Sequence, residues 1–115
     1  MAKHDLLNLI GRTLTMTIDR PLGSRHPRHA DVLYPVNYGY IDGILAGDGM
    51  EQDVYLLGVG HPVESFTGVI IAILQRADDV EDKLVMAPAG VTFTDAEILE
   101  QTYFQEQYFQ TTLQR

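Results

Sequence analysis

The sequence predicts a mainly β fold, a small closed or partly closed β-barrel of about five strands with one C-terminal α-helix. Three observations carry that prediction: strict alternation over Thr13–Asp19, several short apolar runs rich in β-branched and aromatic residues, and a switch to helical spacing after Thr94. At 115 residues and 45% hydrophobic, the chain has the size of one domain, expected to cover positions 1–115 as a unit. A chain of this length buries roughly 60–70% of its unfolded surface, enough for a core without covalent staples.

In Thr13-Leu-Thr-Met-Thr-Ile-Asp19, Leu14, Met16 and Ile18 share one face and Thr13, Thr15 and Thr17 the other, the period of a half-buried strand. Arg20 to His29 reads as a loop, because Pro21, Pro27, Gly23 and Ser24 interrupt any ladder. Val36 to Ile41 predicts a short aromatic strand, Val54 to Val59 and Gly68 to Gln75 buried strands, and Lys83 to Ala87 another. Thr94-Asp-Ala-Glu97 has the form of a capping box, in which hydroxyl and carboxylate satisfy free backbone N–H groups. Ile98, Leu99, Thr102, Tyr103 and Glu106, then Tyr108 and Phe109, predict a helix over about 94–113 that plugs or flanks the barrel. A loose β-sandwich uses the same elements and is the competing layout.

Composition excludes whole classes of function. With no cysteine there is no disulfide scaffold, no thiolate catalysis and no Cys-ligated zinc or iron–sulfur site. The longest apolar run, Gly68 to Leu74, falls far short of the ~20 residues of a membrane span. Met1-Ala-Lys-His-Asp5 precedes only a few apolar residues, so no secretory leader is expected, and the chain reads as a soluble cytoplasmic domain without membrane contact. Sixteen acids against eight bases argue against nucleic acid as a partner. The imbalance is local. The first 40 residues carry five bases and three acids, the remaining 75 three bases and thirteen acids. A basic segment beside an acidic body suits a divalent cation together with the anion that travels with it; solubility alone is the plainer use of such an excess.

The candidate chemistry lies in a few stretches. Acids cluster at Asp48-Gly-Met-Glu51-Gln-Asp53 and at Asp78-Asp79-Val-Glu81-Asp82, with Asp19 at a strand end. Carboxylate oxygens suit Mg²⁺, which takes one or two of them plus water and phosphate. Arg20, Arg25 and Arg28 share one loop and can offer planar forks to phosphate, while Lys83 opens a strand after the second acidic cluster. His26 and His29 in the same loop read as surface residues. On an extended strand Tyr38 and Tyr40 face the same side and can present two hydroxyls to one cavity.

Tyr34-Pro-x-Asn-Tyr38-Gly-Tyr40, followed by Asp48-Gly-x-x-x-Asp53-Val, resembles the core of the soluble family I inorganic pyrophosphatases. Asp78, Glu81-Asp82-Lys83-Leu-Val and Tyr103-Phe-Gln-Glu-Gln-Tyr108 follow in that family's order, so the likeness runs from about Thr13 to the C-terminus. The resemblance implies an OB-type barrel, Mg²⁺ as cofactor and hydrolysis of pyrophosphate to two orthophosphates by metal-activated water. It also implies assembly into a homo-oligomer. Carried over residue by residue, it makes Asp48 and Asp53 the catalytic metal-binding pair and Asp78 a further metal ligand, with the next ligand at Asp82 or Glu81. Asp82 is the closer match by type; Glu81 would share the strand face of Lys83. Lys83, Tyr38 and Tyr108 become phosphate contacts, Arg20 and Arg25 stand in by analogy for the family's hairpin cations, and Asp19 falls at the mouth of the site.

Three departures mark a shortened, divergent relative. The middle aspartate of the signature, assigned to the attacking water, is Met50, which accepts no proton. Phe109 stands where a phosphate-binding lysine is usual, and the cation-bearing hairpin is compressed into Arg20 to His29. Hydrolysis is therefore expected to be weakened or redirected. A non-catalytic binding module for metal-complexed phosphate compounds is the second reading, and an oligonucleotide-binding barrel, disfavoured by charge, the third.

Overall fold

β1 (Thr13–Arg20) pairs along both edges, with β2 (Asn37–Leu45) on one side and β4 (Ser65–Arg76) on the other. β3 (Glu51–Leu56) and β5 (Lys83–Ala87) complete the ring in the order β1-β2-β3-β5-β4, so five strands close into a barrel and the sandwich layout is set aside. The structure, a computed structural model, describes residues 6–115. The expectation of no leader at Met1 to Asp5 lies outside them. All the barrel pairings are antiparallel except β3 with β5, which run parallel with Val54 opposite Leu84 and Tyr55 opposite Val85.

Two cores share the barrel wall. Alternation sends Met16, Ile18, Val54, Leu56, Leu84 and Met86 into one cluster, joined by Leu9 of a short 3₁₀ turn (Leu7–Leu9) and by Leu6 just before it. Their neighbours Tyr55, Leu57 and Val85 enter a second cluster with Tyr34, Val36, Tyr38 and Ile98. β5 is consequently buried at all five positions and reads as an unbroken run, because both of its faces are covered. A bulge between Ile70 and Ala72 shifts the phase of β4, so Ile70 and Ile73 serve the first cluster while Ala72 and Leu74 serve the second. Each fully buried Leu or Ile contributes roughly 1.5–3 kcal/mol.

α1 (Asp95–Glu106) lies over the second cluster through Ile98 and Phe104. It starts where the sequence places it. Glu97 N–H donates to Thr94 Oγ1 at 3.1 Å, and Thr94 N–H donates to Glu97 Oε1 at 2.8 Å. It ends seven residues earlier than the periodicity to Leu113 predicts. After Glu106 the chain turns, and Thr111–Gln114 form β6 against the second half of β4, with Leu74 opposite Leu113. The β-branched pair Thr111-Thr112 suits an extended strand, and the free edge of β4 supplies the backbone partners that a longer helix would forgo. No helix among the described residues is long and apolar enough to cross a membrane.

Asn37 fastens the long segment between β1 and β2. Its side chain is fully buried, accepting from the N–H groups of Leu22 (2.9 Å) and Val63 (3.3 Å) and donating to the carbonyl of His61 at 3.0 Å. Two residues on, Gly39 lies so close to β1 that a Cβ would stand 1.8 Å from the Thr17 carbonyl oxygen, so only glycine separates the two tyrosines.

Candidate active site

A cavity of about 680 Å³ opens between the outer wall of the barrel, the segment after β1 and the end of α1. The barrel contributes Asp19, Arg20, Tyr38, Asp53, Arg76 and Lys83 to it; the far side is aromatic, with Phe104, Tyr108 and Phe109. The parallel register of β3 and β5 explains the central contact. Asp53 and Lys83 each precede a register pair, Val54 with Leu84, so both stand at the same end of neighbouring strands. Lys83 Nζ donates to Asp53 Oδ2 at 2.6 Å and also to Glu81 Oε1. Glu81, two residues before Lys83, shares its face by strand alternation.

The charges around Lys83 shift their neighbours in opposite directions. Burial works against the Lys83 ammonium, yet the Asp53 and Glu81 carboxyls in contact with it hold it protonated above the ordinary lysine range. Burial pushes the Tyr38 phenol well up, so it stays a hydrogen-bond donor, with Lys83 and Gln105 as neighbours. Glu81 is pushed up to about 7 by burial and by the Asp48 carboxyl beside it, against the pull of Lys83. Asp48 moves down, through the hydrogen bond with Glu81 and then the Met50 N–H, which donates to its Oδ1 at 3.0 Å. Asp19 is raised by partial burial, which outweighs Arg20.

The structure brings together Asp48, Asp53, Glu81, Lys83 and Tyr38, of which Asp53, Lys83 and Tyr38 line the cavity, and it sets Arg20 in that lining too, where Nη1 donates to the Tyr34 hydroxyl at 3.0 Å. Tyr108 lines the cavity as well, 69% exposed. Other predicted residues lie elsewhere. Asp82 is buried, its carboxylate accepting from the Arg76 N–H at 3.0 Å and its carbonyl from Gln52 at 2.6 Å. Between Asp82 and Glu81, it is Glu81 that the strand alternation turns to Lys83. Asp78 caps the Gln110 N–H at 2.9 Å on the surface, and Arg25 donates to the Ala30 carbonyl outside the cavity lining. Tyr40 sits opposite Asp53 on β2 without reaching the cavity. His26 and His29, which the sequence reads as surface residues, line it.

Among the described residues no three carboxylates or imidazoles are grouped to cage a metal ion. The donor chemistry nonetheless suits Mg²⁺, which needs only one or two carboxylates when it arrives on phosphate. Glu81 is pushed up beside Asp48, and a cation in that place relieves the repulsion between the two carboxyls. The donors are oxygen alone.

A cluster the sequence does not disclose closes the other end of the cavity. Arg76 donates through Nε and Nη2 to Glu106 at 3.0 and 2.5 Å and through Nη1 to Asp79 at 3.0 Å, and its guanidinium lies 3.7 Å from the centre of the Phe109 ring. Tyr55 O–H donates to Glu106 Oε2 at 2.6 Å. Arg76 and Glu106 are 30 positions apart, and the one signal available is a cation at the end of an apolar strand.

No protein-family model matches the chain, and no curated protein matches it either. Solved structures do. The inorganic pyrophosphatase from Neisseria gonorrhoeae superposes with a TM-score of 0.67 at 21% identity, over 90% of this chain and 81% of that one. The one from Ehrlichia chaffeensis gives 0.66 at 17%, over 89% and 84%. The one from Thermus thermophilus gives 0.60 at 16%, over 100% and 86%. The barrel with its flanking helix is the fold that this chain shares with bacterial inorganic pyrophosphatases.

Proposed function

We propose that the protein is a hydrolase of phosphoanhydrides that cleaves pyrophosphate to two orthophosphates with Mg²⁺ as cofactor. The observation that carries this reading is the convergence of Asp48, Asp53 and Glu81 on Lys83 and Tyr38 beside a cavity, in a fold shared with inorganic pyrophosphatases. Asp48, Asp53 and Glu81 are the residues from which the one or two carboxylates that would hold the metal come. When bound, Mg²⁺ supplies a more acidic water and neutralises charge on the departing phosphate.

The chain's own residues do the rest. Lys83, kept charged, and Arg20 offer donors to phosphoryl oxygens, and charge stabilisation of that kind carries most of phosphoryl transfer. Tyr38, kept neutral, donates its phenolic proton to the same anion, with Tyr108 at the rim. No proton acceptor stands at Met50, so turnover is slower than a site with that base would reach; a general base contributes about 10²–10⁴-fold. The reading extends to a cytoplasmic homo-oligomer, for which the exposed Leu99 and Tyr103 on α1 offer a contact face.

Replacing Asp53 with Asn removes one carboxylate while keeping its shape, and Mg²⁺-dependent phosphate release from pyrophosphate is expected to vanish. Unchanged turnover refutes the assignment. Met50, 65% exposed beside Asp48, favours the second reading, a binding module for metal-complexed phosphates. Calorimetric binding of Mg²⁺-pyrophosphate without any release of orthophosphate selects it.

A further inference from the structure

We propose that the cavity takes a phosphoanhydride bearing a planar heteroaromatic ring, a nucleoside triphosphate, with its phosphates at Lys83 and Arg20 and its ring against His29 and Tyr108. This inference rests on the hydrolytic reading above and names its substrate class.

Size is the first argument. About 680 Å³ lies within the roughly 300–1,000 Å³ of pockets that enclose drug-sized molecules, and pyrophosphate leaves most of it empty. Charge is the second. Asp19, Asp31 and Asp53 line the cavity against Arg20, Arg76 and Lys83, and Lys83 and Arg76 are already engaged by carboxylates. With its charges balanced, the lining offers a ligand polar and aromatic contacts as well as cations. Asp31, on the surface of the segment that bears the histidines, is an acceptor suited to sugar hydroxyls or an exocyclic amine rather than to phosphate.

Aromatic rings gather on both sides of the cavity. His26 lies parallel to Tyr34 within 7° at 6.2 Å, and His29 lies 5.0 Å from His26 with its ring tilted by 41°, so three rings gather on one segment. Tyr108 and Phe109 line the cavity from the other side of the chain, Phe109 with its ring over the Arg76 guanidinium. Tyr108 and His29 are exposed, so ring faces remain for a ligand. His26 Nδ1 accepts from the Arg28 N–H at 3.1 Å, which leaves the proton of the neutral ring on Nε2 as a donor. Base–aromatic stacking adds binding that does not depend on charge.

The reaction balances without a co-reactant. The water oxygen bonds to the terminal phosphorus, and the bond from that phosphorus to the bridging oxygen breaks, its electron pair leaving on the nucleoside diphosphate. One water proton stays with orthophosphate and the other passes to solvent.

The test measures orthophosphate release by the full chain with Mg²⁺ from pyrophosphate, tripolyphosphate and ATP. Tripolyphosphate has the same terminal anhydride and no ring. The expected result is a KM for ATP about tenfold below that for tripolyphosphate. His29→Ala should raise the ATP value about tenfold, leave kcat and both ring-free substrates unchanged, and be rescued by His29→Phe. Equal KM values for ATP and tripolyphosphate, or an equal effect of His29→Ala on all three, overturn the inference. Turnover of pyrophosphate with none of ATP overturns it while the hydrolytic reading stands. If nothing is hydrolysed, that reading falls instead, and calorimetry decides: ATP binding lost in His29→Ala supports the ring site, and no ATP binding refutes it.

Discussion

Under the C-terminal turn, Glu106 accepts four hydrogen bonds, two from the Arg76 guanidinium and one each from Tyr55 and Thr111. At the start of β5, Glu81 meets one ammonium and one carboxyl group that competes with it. The two glutamates shift in opposite directions. Burial opposes the charge of both. Arg76 and Tyr55 outweigh it at Glu106 and hold that carboxyl below the ordinary range, whereas Asp48 adds to it at Glu81 and the carboxyl rises. A carboxylate with its lone pairs filled by donors holds a fold together. One left short of positive charge is a place where a cation binds at a gain. Each glutamate pairs with a cation that lines the same cavity, Lys83 for Glu81 and Arg76 for Glu106, and the difference separates scaffold from chemistry more sharply than residue type does.

That contrast can be broken experimentally, beginning with Lys83. Lys83→Met is expected to cut phosphate release by about 10²–10³-fold, as loss of a charge-stabilising donor does, measured per folded molecule. Glu106→Gln should reverse the pattern, costing about 3 kcal/mol in denaturant unfolding because it leaves Arg76 undercompensated, with turnover of the folded fraction changed only a few-fold. The pH dependence of that stability has a definite sign. The folded Glu106 carboxyl lies below its unfolded value of 4.5, so its contribution is present above pH 4.5 and lost as the pH falls through the depressed folded value. Acid unfolding followed by circular dichroism should be steeper in the wild type than in Glu106→Gln.

Mg²⁺ sharpens the other half of the comparison. At about a hundred times its Kd it should stabilise the wild type by roughly 2–3 kcal/mol, read as a rise in thermal midpoint, with little rise in Glu81→Gln. A rise of equal size in both proteins places the ion elsewhere. The smallest effect belongs to Thr94→Ala, away from both clusters, which loses about 1 kcal/mol of helix capping and no activity.

The sequence discloses what depends on neighbours along the chain. Period two in β1, the unbroken run of β5 and the capping box at Thr94 each follow from side chains within a few positions, and each stands where it is read. Asp48, Asp53 and Lys83 are legible as a motif, and Glu81 follows from counting two residues back from Lys83. What it hides is long-range. Nothing near Glu106 announces that Arg76 will bind its carboxylate, or that the edge of β4 will claim Thr111–Gln114. The role of Asn37 is hidden in the same way, since its three partners lie at Leu22, His61 and Val63. The bulge at Ile70 to Ala72 escapes alternation because it interrupts it.

The one parallel pairing in the barrel has a consequence for how the protein can change. Asp53 and Lys83 are neighbours because two backbones lie side by side in register, not because the stretch joining β4 to β5 has any given length. Val80, at 60% exposure, marks the outer tip of that stretch. Residues could be gained or lost there over generations, altering what the rim recognises, while the lysine and its carboxylate keep their spacing: variation in one dimension is uncoupled from the contact on which the chemistry depends.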